Sequence, residues 1–254
     1  MWKALRISLL LTILIAVAGT AWLERARSVS WQQPIWVGVF PLPADDSDAA
    51  ARFVAAQTDE DFAAIGAFLQ REGERRGVAG ELVRMQRYRS PSSAPPDRPA
   101  AHGPLANLAW SLRLRWYAWQ RTREIDGPPP HVRLFVLYHD PARTVKVPHS
   151  AGLRQGLIGV VHAFARRDQQ GGNGIVIAHE LLHTLGASDK YDDRNLPVFP
   201  DGYGEPAQQP RWPQRRAELM AGRRAITRDS AELPDSLDDV GIGDATAREI
   251  RWLQ

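Results

Sequence analysis

Cysteine is absent from this chain of 254 residues. Disulfide bonds, thiolate zinc sites, cysteine nucleophiles and a cysteine-based latency switch are therefore excluded, which leaves histidine, aspartate and glutamate as candidate metal ligands. Charge of one sign is also lacking, because 32 basic and 29 acidic residues are spread along the chain and leave a net charge of +3. We therefore expect no nucleic-acid partner. With 44% hydrophobic and 24% charged residues, the composition is that of a globular protein.

A long apolar run lies near the N-terminus, where Ile7 to Leu23 carry no charge. This length is at the short end of what spans a bilayer. Lys3 and Arg6 precede the run, so the positive-inside rule predicts a cytoplasmic N-terminus, with the rest of the chain in the periplasm or exterior. The alternative is a cleaved signal peptide, because Ala16-Val17-Ala18 has the small-x-small form that signal peptidase accepts.

Strands and helices are both predicted from the pattern of apolar residues. β-branched and aromatic runs predict strands over residues 35–40, 81–88, 131–138 and 157–165. Thr58 and Asp61 form a capping box before apolar residues at helical spacing, which predicts a helix that ends at Gly73. Together these elements indicate an α+β fold.

A second helix is predicted over Leu105 to Arg123, where apolar residues recur at steps of three and four. The repeat comprises Leu105, Leu108, Leu112, Trp116 and Trp119, with Arg113, Arg115, Arg121 and Arg123 interleaved. We expect the repeat to face the protein core, because such stripes usually do. The alternative is a helix that lies on a membrane surface, for which an arginine-rich and tryptophan-bearing composition is also typical.

The segment His179-Glu180-Leu181-Leu182-His183 carries the main chemical signal. Asn173 can cap a helix that runs through this segment to a stop at Gly186. Residues four apart share a helical face, so His179 and His183 can bind one zinc ion. Glu180 can then act as the general base that accepts a proton from a zinc-bound water, whose hydroxide attacks a polarised carbonyl.

The chain beyond the second histidine extends this motif. His179 to Asp189 reads His-Glu-x-x-His-x-x-Gly-x-x-Asp, which resembles the extended motif of the metzincin metallopeptidases and their snapalysin-like variants. The following Asp189-Lys190-Tyr191-Asp192 is similar to the segment after the motif in immune-inhibitor-A-type peptidases. The resemblance implies that His179, His183 and Asp189 are the zinc ligands. It also implies a zincin fold, with a twisted mixed sheet and an active-site helix, and a methionine turn at Met220 beneath the metal.

Some roles in this site stay open. Other carboxylates that can serve as the third ligand are Glu205, Glu218, Asp192 and Asp193. Tyr191 or Tyr203 can donate a hydrogen bond to an oxyanion near the metal. By resemblance to zincins, the strand over residues 157–165 is the sheet edge that lines the substrate groove, where an extended peptide would pair with it.

These observations predict a zinc metalloendopeptidase that acts on polypeptides outside the cytoplasmic membrane. Residues 1–28 are expected to form a single-pass membrane anchor or signal segment, and residues 29–254 a zincin-like domain. The alternative hypothesis is an envelope protein that keeps the zinc site for structure or binding, with little catalytic turnover. A replacement of Glu180 by glutamine separates the two, because it should leave zinc bound and abolish hydrolysis only in the enzyme.

Overall fold

A computed structural model describes residues 30–99, 103–125, 127–153 and 156–253, together with Arg6 and Thr12. The helices, in chain order, are α1 (Asp48–Ala55), α2 (Glu60–Glu74), α3 (Pro104–Thr122), α4 (Gln170–Leu185) and α5 (Asp244–Glu249). The strands are β1 (Ile35–Pro43), β2 (Val83–Arg87), β3 (Val132–His139), β4 (Ala151–Leu153), β5 (Ile158–Phe164), β6 (Ala217–Glu218), β7 (Arg224–Ala225), β8 (Ala231–Glu232) and β9 (Val240–Gly241). This is an α+β fold, as the sequence predicts.

The main sheet has five strands in the order β2-β1-β3-β5-β4. The first four of these run parallel, and β4 pairs antiparallel with β5. The sheet is therefore mixed, and its one antiparallel strand lies at an edge. Two small two-stranded sheets, β6-β9 and β7-β8, follow in the C-terminal part of the chain.

Apolar side chains cover both faces of the main sheet. Alternate residues point to opposite faces of a strand, so Val37 and Val39 contribute to one core while Phe40 contributes to the other. The first core packs against α1, α2 and α4. Among the described residues, the second core packs against the helix α3. The sheet therefore lies between α3 on one side and α4 on the other.

The helix α3 is present as predicted, but the face that it buries is not the predicted one. The helix packs on the sheet through Trp110, Leu114, Tyr117 and Ala118. The predicted apolar repeat, Leu105, Leu108, Leu112, Trp116 and Trp119, is exposed. The physical reason is that both faces of this helix carry apolar residues at helical spacing, and the sheet selects the face whose aromatic rings fit against Phe135.

The expectation for the sheet edge is also wrong. β5 is paired on both sides, by β3 and by β4, and does not lie at the edge. The edge strand beside α4 is instead the short β4. Continuous burial of β5 from Ile158 to Val161 is typical of an interior strand in a parallel arrangement.

The predicted membrane segment, Ile7 to Leu23, lies outside the described residues apart from Thr12. Within the part of the chain that the structure describes, none of the helices combines the length and apolar character needed to cross a bilayer. The anchor or signal segment over residues 1–28 therefore stays a prediction.

Candidate metal site

The helix α4 carries the His-Glu-x-x-His segment and ends as the sequence predicts. Gly186 terminates it with a φ of 120°, a conformation that favours glycine, and its N–H donates to the carbonyls of Leu182 and His183. The start of the helix differs from the prediction. Because α4 begins at Gln170, Asn173 lies inside it and is no cap; its side-chain amide instead bonds both the N–H and the carbonyl of Phe164 in β5.

Both histidines of the segment are fixed by backbone carbonyls. The Nδ1 atom of His179 lies 2.9 Å from the carbonyl oxygen of Leu219, and that of His183 lies 2.9 Å from the carbonyl oxygen of Ala187. A carbonyl oxygen can only accept, so each Nδ1 atom is the donor. In the neutral imidazole each Nε2 atom is then left with a free lone pair, which is the tautomer that binds a metal.

Asp189 brings a carboxylate oxygen to both of these Nε2 atoms. Its Oδ1 atom lies 3.2 Å from Nε2 of His179 and 3.1 Å from Nε2 of His183. Ligand atoms at the usual bond lengths from a tetrahedral zinc ion are about 3.3 Å apart. The spacing of these three atoms is therefore compatible with a tetrahedral zinc site.

The donor set itself fits a cation. Two imidazole lone pairs and a carboxylate oxygen converge, and lone pairs repel one another unless a positive ion or a proton lies between them. Burial alone would raise the pKa of the Asp189 carboxyl, but when protons occupy the two Nε2 atoms, the hydrogen bonds and charge of His179 and His183 outweigh burial and lower that pKa. The carboxylate is 44% exposed, so the site opens to solvent on this side.

Glu180 completes the cluster. The ligand atoms of His179, Glu180 and His183 all lie within 4.8 Å of one another, and the three can bind a metal ion. The Oε2 atom of Glu180 is buried and has no hydrogen-bond partner among the described residues. Burial raises the pKa of Glu180 above its usual value, while His179 and His183 oppose that shift. The Oε2 atom of Glu180, beside two histidines, is therefore available to take a proton.

The edge strand β4 closes over the helix at Gly152. A Cβ atom at this position would lie 2.8 Å from Cβ of His183, 3.1 Å from the carbonyl oxygen of Glu180 and 3.5 Å from Oε2 of Glu180. Only glycine permits so close an approach. The backbone of β4 therefore forms one wall of the site.

The turn around Met220 contacts the first histidine of the segment through Leu219. Leu219, which accepts the hydrogen bond from His179, begins a 3-10 turn over Leu219–Ala221, and the Met220 side chain is fully buried there. The carbonyl of Met220 accepts a 3.0 Å hydrogen bond from the N–H of Lys190, next to Asp189. The turn thus contacts His179 and Lys190, the residue that follows Asp189.

The alternative third ligands are engaged elsewhere or stand apart from the cluster. Glu218 is fully buried, and its carboxylate accepts from the N–H groups of Ala221 and Gly243 and from the hydroxyl of Thr246. Asp192 accepts from the N–H groups of Arg194 and Leu196. Among the described residues, Asp193 and Glu205 form no ion pair with His179 or His183, whereas Asp189 contacts both.

The two candidate tyrosines, Tyr191 and Tyr203, differ in their position relative to the metal site. The hydroxyl of Tyr203 accepts a hydrogen bond of 3.1 Å from Nε1 of Trp212, and Tyr203 is buried. Tyr191 is partly exposed and lies beside Asp189; burial and the neighbouring carboxylate raise the pKa of its hydroxyl. Tyr191 is therefore the tyrosine that the fold brings to the site.

A salt bridge that sequence reasoning missed anchors the loop with Asp189. The ammonium group of Lys190 lies 2.9 Å from both carboxylate oxygens of Glu249 in α5. The same carboxylate accepts from the N–H and the hydroxyl of Ser188, at 2.9 and 2.6 Å. The residues on both sides of Asp189 are thus tied to α5. No sequence signal links Glu249 to a motif sixty positions away.

Comparison with known proteins finds no family model that matches the chain, and no curated protein matches it significantly. The metzincin resemblance therefore rests on the residues of the motif and on their geometry alone. The metal-binding group of His179, Glu180 and His183 follows from the geometry of the structure and does not depend on the metzincin resemblance.

Proposed function

We propose that this chain is a zinc metalloendopeptidase in which His179, His183 and Asp189 hold the metal and Glu180 is the catalytic base. The observation that carries the proposal is the convergence of two Nε2 lone pairs and one carboxylate oxygen at 3.1 to 3.2 Å, beside the unpartnered Oε2 atom of Glu180. A set of two nitrogens and one oxygen, with an open fourth position, is typical of catalytic zinc sites.

The chain's own residues have distinct tasks in this mechanism. A bound zinc ion would supply a Lewis acid that polarises a carbonyl group and lowers the pKa of a water molecule. Glu180 would accept the proton of the attacking water at Oε2 and pass it to the leaving amine nitrogen. Its raised pKa suits both steps, because the carboxyl has to hold the proton between them. Leu219 and Ala187 would keep the imidazole rings in place through their carbonyls.

A polypeptide substrate is proposed from the position of β4. This strand lies at the sheet edge beside α4, and no strand pairs with its outer side among the described residues. An extended peptide can pair with such an edge through main-chain hydrogen bonds, which would bring a peptide carbonyl next to Glu180. Tyr191 lies beside Asp189 and would donate a hydrogen bond to the developing oxyanion.

We also propose that residues 1–28 anchor the domain at the outer face of the cytoplasmic membrane. It is supported by the uncharged run Ile7 to Leu23 and by the basic residues before it. A cleaved signal peptide would place the same domain outside the cell membrane without an anchor.

The purified full chain in detergent tests the proposal. Loaded with zinc, it should cleave an unfolded protein substrate, and a chelator should stop the cleavage until zinc is restored. Glu180→Gln should retain zinc at the wild-type ratio and lose hydrolysis by a factor of about 100 or more. Glu60→Gln, which changes an exposed carboxylate at the start of α2, is the matched control and should cleave normally.

Two outcomes would count against this function. Wild-type hydrolysis by Glu180→Gln would remove the general base from the mechanism. Full zinc occupancy without cleavage of any protein substrate would favour the second candidate, an envelope protein with a structural or binding zinc site.

A further inference from the structure

The exposed side of α3 carries a continuous row of large apolar side chains. We call this row the outer stripe; its members are Leu105, Leu108, Leu112, Trp116 and Trp119. They are between 48% and 82% exposed. Sequence spacing puts them on one helical face, and the opposite face packs on the sheet. An apolar row of this size on a surface usually marks a binding site.

Positive charge accompanies the outer stripe. None of the residues from 104 to 122 is acidic, and Arg113 and Arg123 are exposed. At about 3.6 residues per turn, Arg113 and Arg115 fall on opposite flanks of the stripe, and Arg123 continues it at its end. The nearest acidic side chain along the described chain, Glu124, pairs with Arg121 at 2.9 Å. The stripe is thus apolar along its middle and cationic at its borders.

The two tryptophans of the stripe have the character of interfacial residues. Trp116 and Trp119 stack with their ring centroids 4.8 Å apart, and the guanidinium of Arg123 lies 4.8 Å from the Trp119 centroid. Tryptophan favours the boundary between lipid headgroups and acyl chains. Arginine can lay its aliphatic stem on such a surface and keep its charge among the headgroups.

The charge pattern selects an anionic lipid surface over a second copy of the chain. Two copies of the stripe facing one another would bring arginine against arginine, and α3 holds no carboxylate to pair with them. Anionic headgroups attract flanking arginines, and the interface accepts leucine and tryptophan between them.

We propose that the outer stripe of α3 lies on the surface of a membrane that contains anionic phospholipid. The apolar run Ile7 to Leu23 independently indicates that this chain meets a bilayer. Because the main sheet lies between α3 and α4, the metal-binding group would then sit on the side of the domain turned away from the lipid. This proposal stands apart from zinc binding and catalysis.

The absence of cysteine permits a direct test with single labels. The full chain with Leu112→Cys carries a fluorescent probe and is reconstituted into vesicles that contain a spin-labelled lipid quencher. Leu233→Cys is the matched control, because Leu233 is a 68% exposed leucine near Asp235, whose carbonyl lies against Gly171 in α4 on the other side of the sheet. In vesicles with phosphatidylglycerol the probe at position 112 should be quenched several-fold more than the probe at 233.

Charge removal gives the second measurement. Arg113→Gln and Arg123→Gln should each lower the association of the stripe with the surface about fivefold, and salt should weaken it further. Equal quenching at positions 112 and 233 would overturn the proposal. So would undiminished quenching at 112 in pure phosphatidylcholine, or a probe at 112 that is shielded by self-association of the chain in place of lipid contact. Far-UV circular dichroism confirms folding of each variant.

Discussion

Gly152→Ala is the perturbation that tests the packing of the edge strand β4 on the helix α4. The new methyl group would lie 2.8 Å from Cβ of His183 and 3.1 Å from the carbonyl oxygen of Glu180, whereas apolar carbons in contact are about 3.5 to 4.0 Å apart. Either β4 or His183 must therefore move by about 1 Å. Overpacking of this kind costs roughly 1 to 3 kcal/mol of unfolding free energy.

The same movement should reach the metal. His183 carries the Nε2 atom that lies 3.1 Å from Asp189, so a displaced ring no longer meets the carboxylate at ligand spacing. We expect the zinc affinity to fall about 10- to 100-fold, the usual effect of disturbing the groups that support a ligand. Competition with a zinc-binding dye measures the affinity, and urea unfolding measures the stability.

Gly172→Ala is the matched control for this experiment. Gly172 is inside α4, and a Cβ atom there would meet nothing within 4 Å. An alanine at such a helical position should stabilise the fold by up to about 1 kcal/mol and leave zinc affinity unchanged. If Gly152→Ala behaves like Gly172→Ala, with stability and zinc affinity intact, the close contact of β4 with α4 is refuted.

Two further predictions concern groups outside the ligand set. Glu249→Gln should lower the free energy of unfolding by about 2 kcal/mol and weaken zinc binding, because the Lys190 side chain is only 8% exposed and would lose its charged partner. The loss is smaller than for a fully buried pair, since Glu249 is 30% exposed. Burial alone would raise the pKa of Glu249, but hydrogen bonds from Ser188 and Lys190 outweigh burial, and the pKa in the folded protein is lowered. The stabilisation of the fold by Glu249 is therefore present above the pKa of the unfolded chain and disappears as the pH falls through the folded pKa. Acid unfolding of wild type and Glu249→Gln should therefore converge at low pH. Burial and the neighbouring His139 lower the pKa of His162 to about 4. The fold should therefore lose stability as the pH falls from about 6.5 towards that value. The NMR shift of the His162 imidazole measures this titration, and a midpoint near 6.5 would contradict the part-buried contact of 2.9 Å between the two rings.

Local sequence patterns predict the elements of this fold well, because each pattern reports on its own segment. The buried runs of β1, β3 and β5 and the glycine that ends α4 are examples. The order of strands in a sheet depends on contacts between distant parts of the chain, and local patterns do not report it. In this sheet β4 is the edge strand. With only Ala151, Gly152 and Leu153, that strand is too short to show any periodicity. The unbroken apolar run of β5 is the signal that could have indicated an interior strand.

The face of α3 illustrates a second limit. Trp110, Leu114 and Tyr117 repeat at helical spacing just as the outer stripe does, so periodicity alone offers two equivalent buried faces. The choice between them depends on the shape of the sheet surface around Phe40 and Phe135, which only the folded chain defines. The hydrogen bonds from His179 and His183 to the carbonyls of Leu219 and Ala187 also could not be predicted from the sequence. Every residue has a backbone carbonyl, so the sequence does not show which one a side chain contacts.

A crystal structure of the zinc-loaded chain, with anomalous diffraction recorded at the zinc absorption edge, tests whether His179, His183 and Asp189 hold the metal. We expect one anomalous peak about 2.0 to 2.1 Å from Nε2 of His179 and of His183, and about 2.0 to 2.2 Å from a carboxylate oxygen of Asp189, with Glu180 outside the first coordination sphere. A peak elsewhere, or a site between the histidines completed by a residue other than Asp189, would contradict it.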